Sequence, residues 1–302
     1  MITPRHPDRA ALVETARDSI KRGSKSFSFA SRLFDQPVRE RAWLLYSWCR
    51  RCDDLADGQN HGGALDPDHD TKAALVQIRT LTDRALAGEA TGDAAFDALG
   101  CVVAECAIPR HYIDDLIDGF ALDADDWRPQ TQADLLRYCY HVAGTVGCMM
   151  AIIMGVDADD GETIGYANDL GLAFQLANIA RDIAEDAAGG RCYIPKDWLE
   201  EQSIIAADLT DPAHRSVRAA LGQRLAGMAA YHEDNARIGA RRLPFRSRWA
   251  VLAAAGIYGG IAREVAARGQ SAWDARVTTS KATKLAHVAT AFVVARSQLR
   301  AA

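Results

Sequence analysis

Several things are scarce in this chain, and each scarcity removes a class of function. Positive charge is in deficit: 35 Lys and Arg stand against 40 Asp and Glu, for a net charge of −5. The basic footprint of a nucleic-acid binder is therefore missing. The longest strongly apolar run, Cys148 to Val156, falls far short of the roughly 20 residues that a helix needs to span a bilayer. The opening stretch, MITPRHPDRAALVETARDSIKRG, has no apolar signal region. Neither secretion nor membrane spanning is expected. The seven cysteines, at 49, 52, 101, 106, 139, 148 and 192, show no framework spacing and lie mostly in apolar stretches, which points to a reducing cytoplasm. Cys49 and Cys52 form a lone CxxC with no second pair or histidine at zinc-site spacing. No GxGxxG follows a strand, so consumption of a nicotinamide cofactor is not expected. Alternating β-branched runs are few, and no Pro/Gly/Ser-rich linker divides the chain. A single all-α domain over 1–302 is the expectation, although the length alone would allow about two domains.

What is present centres on residues 170–195, LGLAFQLANIARDIAEDAAGGRCYIP. Asp182 and Asp186 sit four apart in an otherwise apolar helical pattern, so they share one face. Two carboxylates one turn apart repel each other, and in an apolar groove that is tolerable only with a cation between them. A hard divalent metal that accepts carboxylate and phosphate oxygens together meets the requirement. An earlier segment, WCRRCDDLADG, repeats the device with Asp53 and Asp57, again preceded by arginine. A single DxxxD pair is most often a solvated helix face. Two pairs with matching apolar flanks argue otherwise. Asp114 and Asp118 share the spacing but read as a decoy, since no partner arginine or phosphate-binding loop is evident beside them.

Taken in order, helices are expected over 8–23, 37–57, 71–87, 93–106 and from Pro109 onward, then 131–156 with an N-cap at Thr131. Three more follow at 211–238, 247–268 and 281–299. The last is read as amphipathic, with Leu285, Val288, Ala289, Phe292 and Val293 closing the bundle. Ser24, Lys25, Ser26 and Ser28 beside Phe27 and Phe29 suit a phosphate at the mouth of an apolar cavity, though serines there also serve as helix caps. Gly58 to Asp70 reads as a surface connection that could close over a site. Ala143, Gly144 and Gly147 keep space open for a ligand or for a closely packed helix; a helical glycine costs about 1 kcal/mol relative to alanine.

YCYHVAGTVG and the central stretch resemble, throughout their length, the two signatures of the squalene/phytoene synthase family. The likeness runs from about Ser24 to Arg263 and lies nearest to the bacterial members that make phytoene. It implies the isoprenoid synthase fold, a single-domain helical bundle with a central active-site cavity. It also implies Mg²⁺- or Mn²⁺-dependent head-to-head (1'-1) coupling of two geranylgeranyl diphosphates through prephytoene diphosphate to phytoene. On the matching positions, Asp53, Asp57, Asp182 and Asp186 would bind metal, with Asn178 as an added ligand, Gln175 nearby and Asp54 less firmly placed. Ser24, Lys25, Arg50, Arg181 and Arg191 would meet phosphate. Tyr138, Tyr193 and Tyr258 would surround the reacting carbons, and Phe27 and Val142 would line the prenyl cavity. Asp123 matches an acidic position of the family. Where the family often has a basic residue after the tyrosine at 258, this chain has Gly259 and Gly260, with Arg263 further on.

Competing readings are a head-to-head synthase working on two farnesyl diphosphates, a chain-elongating prenyl transferase and a non-enzymatic assembly partner. The second would need adjacent aspartates in both acid turns, and Asp182 is followed by Ile183. The third would require a degraded site. Prenyl diphosphates are the expected partners, with peripheral contact at the inner face of the membrane because a C40 product is insoluble in water.

Overall fold

Apolar residues recur at helical spacing along most of the chain, and the computed structural model, which describes residues 8–58 and 69–297, turns these stretches into helices with no strand among the described residues. Clustering of contacts separates two compact units, one of Met1–Asp125 with Met149–Asp159 and one of Asp126–Cys148 with Asp160–Ala302.

The first unit holds α1 (Arg9–Gly23), α2 (Lys25–Ala30), α3 (Gln36–Ala56), α4 (Thr71–Leu86), α5 (Ala94–Cys106) and α6 (Arg110–Ala124). Helix starts follow from capping chemistry. Asp35, Asp70 and Asp93 accept backbone N–H bonds at the heads of α3, α4 and α5, each worth about 1 kcal/mol. Trp48 and Leu44 of α3, Ile78 of α4, Phe96 of α5 and Ile113 of α6 are fully buried. Each such side chain contributes roughly 1.5 to 3 kcal/mol. Residues 59–68 of the expected surface connection lie outside the described residues. At its far end, the His69 ring nitrogen stands 2.9 Å from the Ala56 carbonyl.

The decoy pair is at the surface, yet the expectation that no arginine stood beside it is corrected. Asp114 accepts from Arg110 at 3.0 Å and Asp118 from Arg79 at 2.7 Å. Arg79 comes from α4, a partner that spacing within α6 could not reveal.

In the second unit Thr131 and Asp134 form a reciprocal capping box. The single helix expected over 131–156 is instead α7 (Gln132–Cys139), a π-turn (Tyr140–Gly144) and α8 (Thr145–Ile153), whose residues from Met149 onward belong to the first unit. Turns of this kind are frequent at functional sites. This one coincides with a close approach of α9 (Gly161–Ala188): a Cβ on Gly171 would stand 2.3 Å from the Ala143 carbonyl oxygen. α10 (Lys196–Glu201), α11 (Arg215–Ala240), α12 (Phe245–Arg268) and α13 (Lys281–Ser297) complete the unit. Its core includes Leu135, Leu176, Trp198, Leu225 and Ile257.

The expected apolar side of α13 is split. Val288 and Phe292 turn toward α12, where the Trp249 indole N–H donates to the Val288 carbonyl and Phe292 meets Phe245 and Trp249. Leu285, Ala289 and Val293 face outward and are exposed. The docking groove of α12 decides this, because Gly256 leaves room for His287 at close contact. Two stretches, Gln132–Ile153 and Phe245–Ser271, are long and apolar enough to cross a membrane by length and composition, but 50% and 56% of their most apolar windows are buried inside the protein.

Candidate active site

Both acid pairs fall at the C-terminal ends of long helices. Partial negative charge from the backbone carbonyls makes that the wrong end for a carboxylate, by about 0.3 to 1 kcal/mol per group. At the end of α3, Arg50 pairs with Asp53 at 3.0 Å and with buried Asp54 at 2.5 Å. Asp54 therefore anchors Arg50. The buried Arg50 Nε has no hydrogen-bond partner among the described residues, which suits an incoming anion. The Asp53 carboxyl is pushed up to about 6, first by burial and then by the charge of Asp57, with Asp54 and Asp123 adding to it. Asp123 thus belongs electrostatically to the first acid turn. Asp57 caps the helix end.

The start of α2 is close by. A Cβ on Gly23 would stand 2.3 Å from the Tyr46 hydroxyl and 3.6 Å from Arg50 Cδ, so the turn before Ser24 lies against Arg50. The Ser24 hydroxyl accepts from the Phe27 N–H at 3.2 Å, the capping role weighed from sequence. Phe27 packs against the Tyr46 ring at 5.7 Å. The Lys25 side chain lies outside the described residues.

In the second unit, α9 presents Gln175, Asn178, Asp182 and Asp186 as half-buried positions on one face, between fully buried neighbours such as Leu176, Ile179 and Ile183. Arg181 donates two hydrogen bonds to Asp182. The Asp186 carboxyl is pushed up to about 7 by burial and the Asp182 charge, against the pull of Arg191. The chain reverses after α9 through Gly190, whose φ of +80° suits glycine. That turn brings the Arg191 N–H to the Asp186 carbonyl at 2.8 Å. An arginine that the spacing did not suggest joins them: Arg276 donates to Glu185 at 2.5 Å and to Asp182 at 3.2 Å.

The same unit holds two aromatic stacks. Tyr138 is stacked between Tyr193 at 4.8 Å and Trp127 at 5.8 Å. Tyr258 stacks on Phe174 at 4.2 Å and lies within electrostatic reach of Arg181. Trp127, Phe174 and Tyr46 were not read as site residues. Trp127 stands in a polar connection whose only signal is the indole itself, and the other two are hidden in apolar periodicity. Val142 sits half-buried on the π-turn. Arg263 is committed elsewhere, to buried Glu233 at 2.7 Å and to the Gly256 carbonyl at 3.3 Å. The glycines on the signature helix serve packing. A Cβ on Gly147 would stand 2.2 Å from the Ala167 carbonyl oxygen, and one on Gly144 would stand 2.1 Å from the Asn168 side chain.

The donors at both turns are hard oxygens, the type that Mg²⁺ and Mn²⁺ prefer. Burial first, and the neighbouring carboxylate second, raise the Asp53 and Asp186 carboxyls, a cost that a bound cation would relieve. Among the described residues no three Asp, Glu, His or Cys side chains converge on one point, so a bound cation would draw further oxygens from elsewhere. The thiols of Cys49 and Cys52 are held high by burial.

The sequence profile described as squalene/phytoene synthase matches residues 20–283. The chain belongs to the squalene/phytoene synthase family. Within that family it is 42% identical to a phytoene synthase of Pseudescherichia vulneris over 277 residues, covering 91% of this chain and 89% of that one. It matches a 15-cis-phytoene synthase of Pantoea ananas with the same identity and coverage. Among solved structures it is similar to a dehydrosqualene synthase crystallised with a ligand, at a TM-score of 0.84 and 26% identity over 96% of this chain and 98% of that one. The all-α architecture is that of the isoprenoid synthases, and this squalene/phytoene synthase family works on prenyl diphosphates.

Proposed function

We propose that this chain couples two geranylgeranyl diphosphates head to head, through prephytoene diphosphate, to phytoene in carotenoid biosynthesis. The observation that carries the reading is the 42% identity over 91% of the chain to two phytoene synthases, in a sequence whose acid turns both stand complete. Forming the cyclopropyl intermediate releases one diphosphate and a proton. Opening it releases the second diphosphate and another proton, so no reductant such as NADPH is consumed.

Asp53 and Asp57 on one turn, and Asn178, Asp182 and Asp186 on the other, would hold Mg²⁺ or Mn²⁺. When bound, the metal supplies Lewis-acid stabilisation of the departing diphosphate, worth several kcal/mol. Arg50, Arg181 and Arg191, with Ser24 and Lys25, neutralise phosphate oxygens; Gln175 orients the same groups from the α9 face. The stacked Tyr138 and Tyr193, and Tyr258 on Phe174, offer ring faces to a developing allylic cation, each worth about 0.5 to 2 kcal/mol. Phe27 and Val142 border the prenyl chains and exclude water that would quench the cation. Within this reading 1–302 is one catalytic domain, since the family profile over residues 20–283 runs through both acid turns. The enzyme works in the cytoplasm, in peripheral contact with the inner face of the membrane.

Likeness to a dehydrosqualene synthase favours a second reading, coupling of two farnesyl diphosphates to a C30 product. Purified enzyme given both diphosphates with Mg²⁺ is expected to make C40 phytoene. Chiefly C30 product would move the chain to the second reading, and squalene on addition of NADPH would overturn the redox-neutral scheme.

A further inference from the structure

The net charge of −5 conceals a strong asymmetry. Residues 237–297 hold eleven Lys and Arg but only two acids, Glu264 and Asp274. Several of these cations are matched by carboxylates outside the segment, including Arg237 and Arg263 by Glu233, and Arg242 by Glu162. Arg241, Lys281 and Arg296 are exposed and meet no carboxylate among the described residues.

Two of them, Lys281 and Arg296, bracket an apolar strip. On α13, Leu285, Ala289 and Val293 succeed one another at i, i+4 and i+8, with Leu285 58% and Val293 66% exposed. Lys281 and Arg296 fall at either end of the same helix face. Buried Arg248 ties this end of the helix to the turn after α11, donating to the Ala295 carbonyl at 3.4 Å, the Arg241 carbonyl at 2.8 Å and the Leu243 carbonyl at 3.1 Å. The turn that carries exposed Arg241, with Ile238 at 48% exposure one turn earlier, therefore lies beside the C-terminal end of α13. The opposite side of α13 is seated on α12, so the strip has no partner within its unit among the described residues.

We propose that this outer face of α13, with the Ile238–Arg241 turn, is the surface that docks the enzyme on an anionic lipid bilayer. An apolar strip bordered by cations suits the headgroup boundary of anionic lipid: aliphatic side chains enter, and Lys and Arg stay at the phosphates. A second copy of the chain is disfavoured as occupant, because a two-fold contact would set this positive face against itself. The proposal rests on the assigned reaction, whose lipid substrates and product must exchange with a membrane.

The test is flotation of the purified full-length chain with vesicles of phosphatidylcholine alone or with phosphatidylglycerol added. Binding is expected only with phosphatidylglycerol and should weaken as salt rises. Lys281→Glu/Arg296→Glu should lower partitioning on the order of 30-fold or more, given about 1 kcal/mol for each cation at the surface. Leu285→Gln/Val293→Gln should also weaken it. Helical content, thermal midpoint and turnover in detergent micelles should stay unchanged in both variants, since all four residues lie at the periphery. Unaltered binding of the charge-reversed variant, or equal binding to uncharged vesicles, would overturn the proposal. So would dimerisation of the native chain that both variants abolish while vesicle binding persists. Product identity in micelles is read separately, so a C30 product would refute the reaction without touching the docking result.

Discussion

The two ends of α3 hold carboxylates in opposite circumstances. Near its N-terminal end Arg9 reaches Glu40 and Glu105, and Arg41 reaches Glu105 at 2.9 Å. The Glu105 carboxyl is held down to about 2, chiefly by the hydrogen bond from Arg9. At the C-terminal end Asp53 and Asp54 pair with Arg50, yet burial first, and then the charges of Asp57, Asp54 and Asp123, lift the Asp53 carboxyl to about 6. One cluster is neutralised from within the protein and stabilises the fold. The other gathers like charges in a buried setting at the helix end that disfavours acids, a setting that the proposed cation would relieve.

The sharpest way to break this comparison is to neutralise the frustrated end. Asp53→Asn and Asp182→Asn should each lower kcat by roughly a thousandfold or more, since a metal's contribution of several kcal/mol is at stake. For Asp53→Asn the thermal midpoint of metal-free protein should hold or rise, because the change removes repulsion; Asp182→Asn also weakens the bonds from Arg181 and Arg276 and should lower it. Near-normal turnover in either variant would defeat the metal assignment. Glu105→Gln should do the reverse and cost about 2 kcal/mol in denaturant unfolding, by weakening charge-assisted hydrogen bonds, while kcat stays within a few-fold. A large loss of kcat at unchanged stability would show that the cluster is not merely structural.

Titration separates the two clusters further. Asp53 and Asp186 bind protons more tightly when folded. Their contribution to the stability of metal-free protein is therefore present below the ordinary carboxylate range and is lost as pH rises through about 6 to 7. Glu105 binds its proton less tightly when folded, so its contribution is present above that range and is lost as pH falls toward about 2. Unfolding followed from pH 4 to 8 in chelator should show declining stability, and Asp53→Asn/Asp186→Asn should flatten the slope. A slope unchanged in the double variant would place the titration elsewhere. The smallest effect is expected at Arg276, half exposed and bridging Glu185 and Asp182. Arg276→Gln should reduce kcat/KM by less than about tenfold, as exposed ion pairs contribute little. A loss equal to that of Asp182→Asn would promote it to the metal machinery.

The sequence by itself determined whatever depends on near neighbours along the chain. Helix spans followed from apolar periodicity and capping residues, as at Asp35 and Thr131. The acid turns followed from four-residue spacing, because a helix carries i and i+4 onto one face whatever surrounds it. The long signatures identified the family for the same reason: they preserve an entire local environment. Only the tertiary structure decided the rest. The Trp127–Tyr138–Tyr193 stack, Arg276 beside Asp182 and the commitment of Arg263 to Glu233 join residues with no fixed spacing. Gly147 proved to serve backbone packing because the Ala167 carbonyl lies against it. The outward turn of Leu285 and Val293 was equally hidden: both sides of α13 are apolar, and the shape of α12 selects which one is buried.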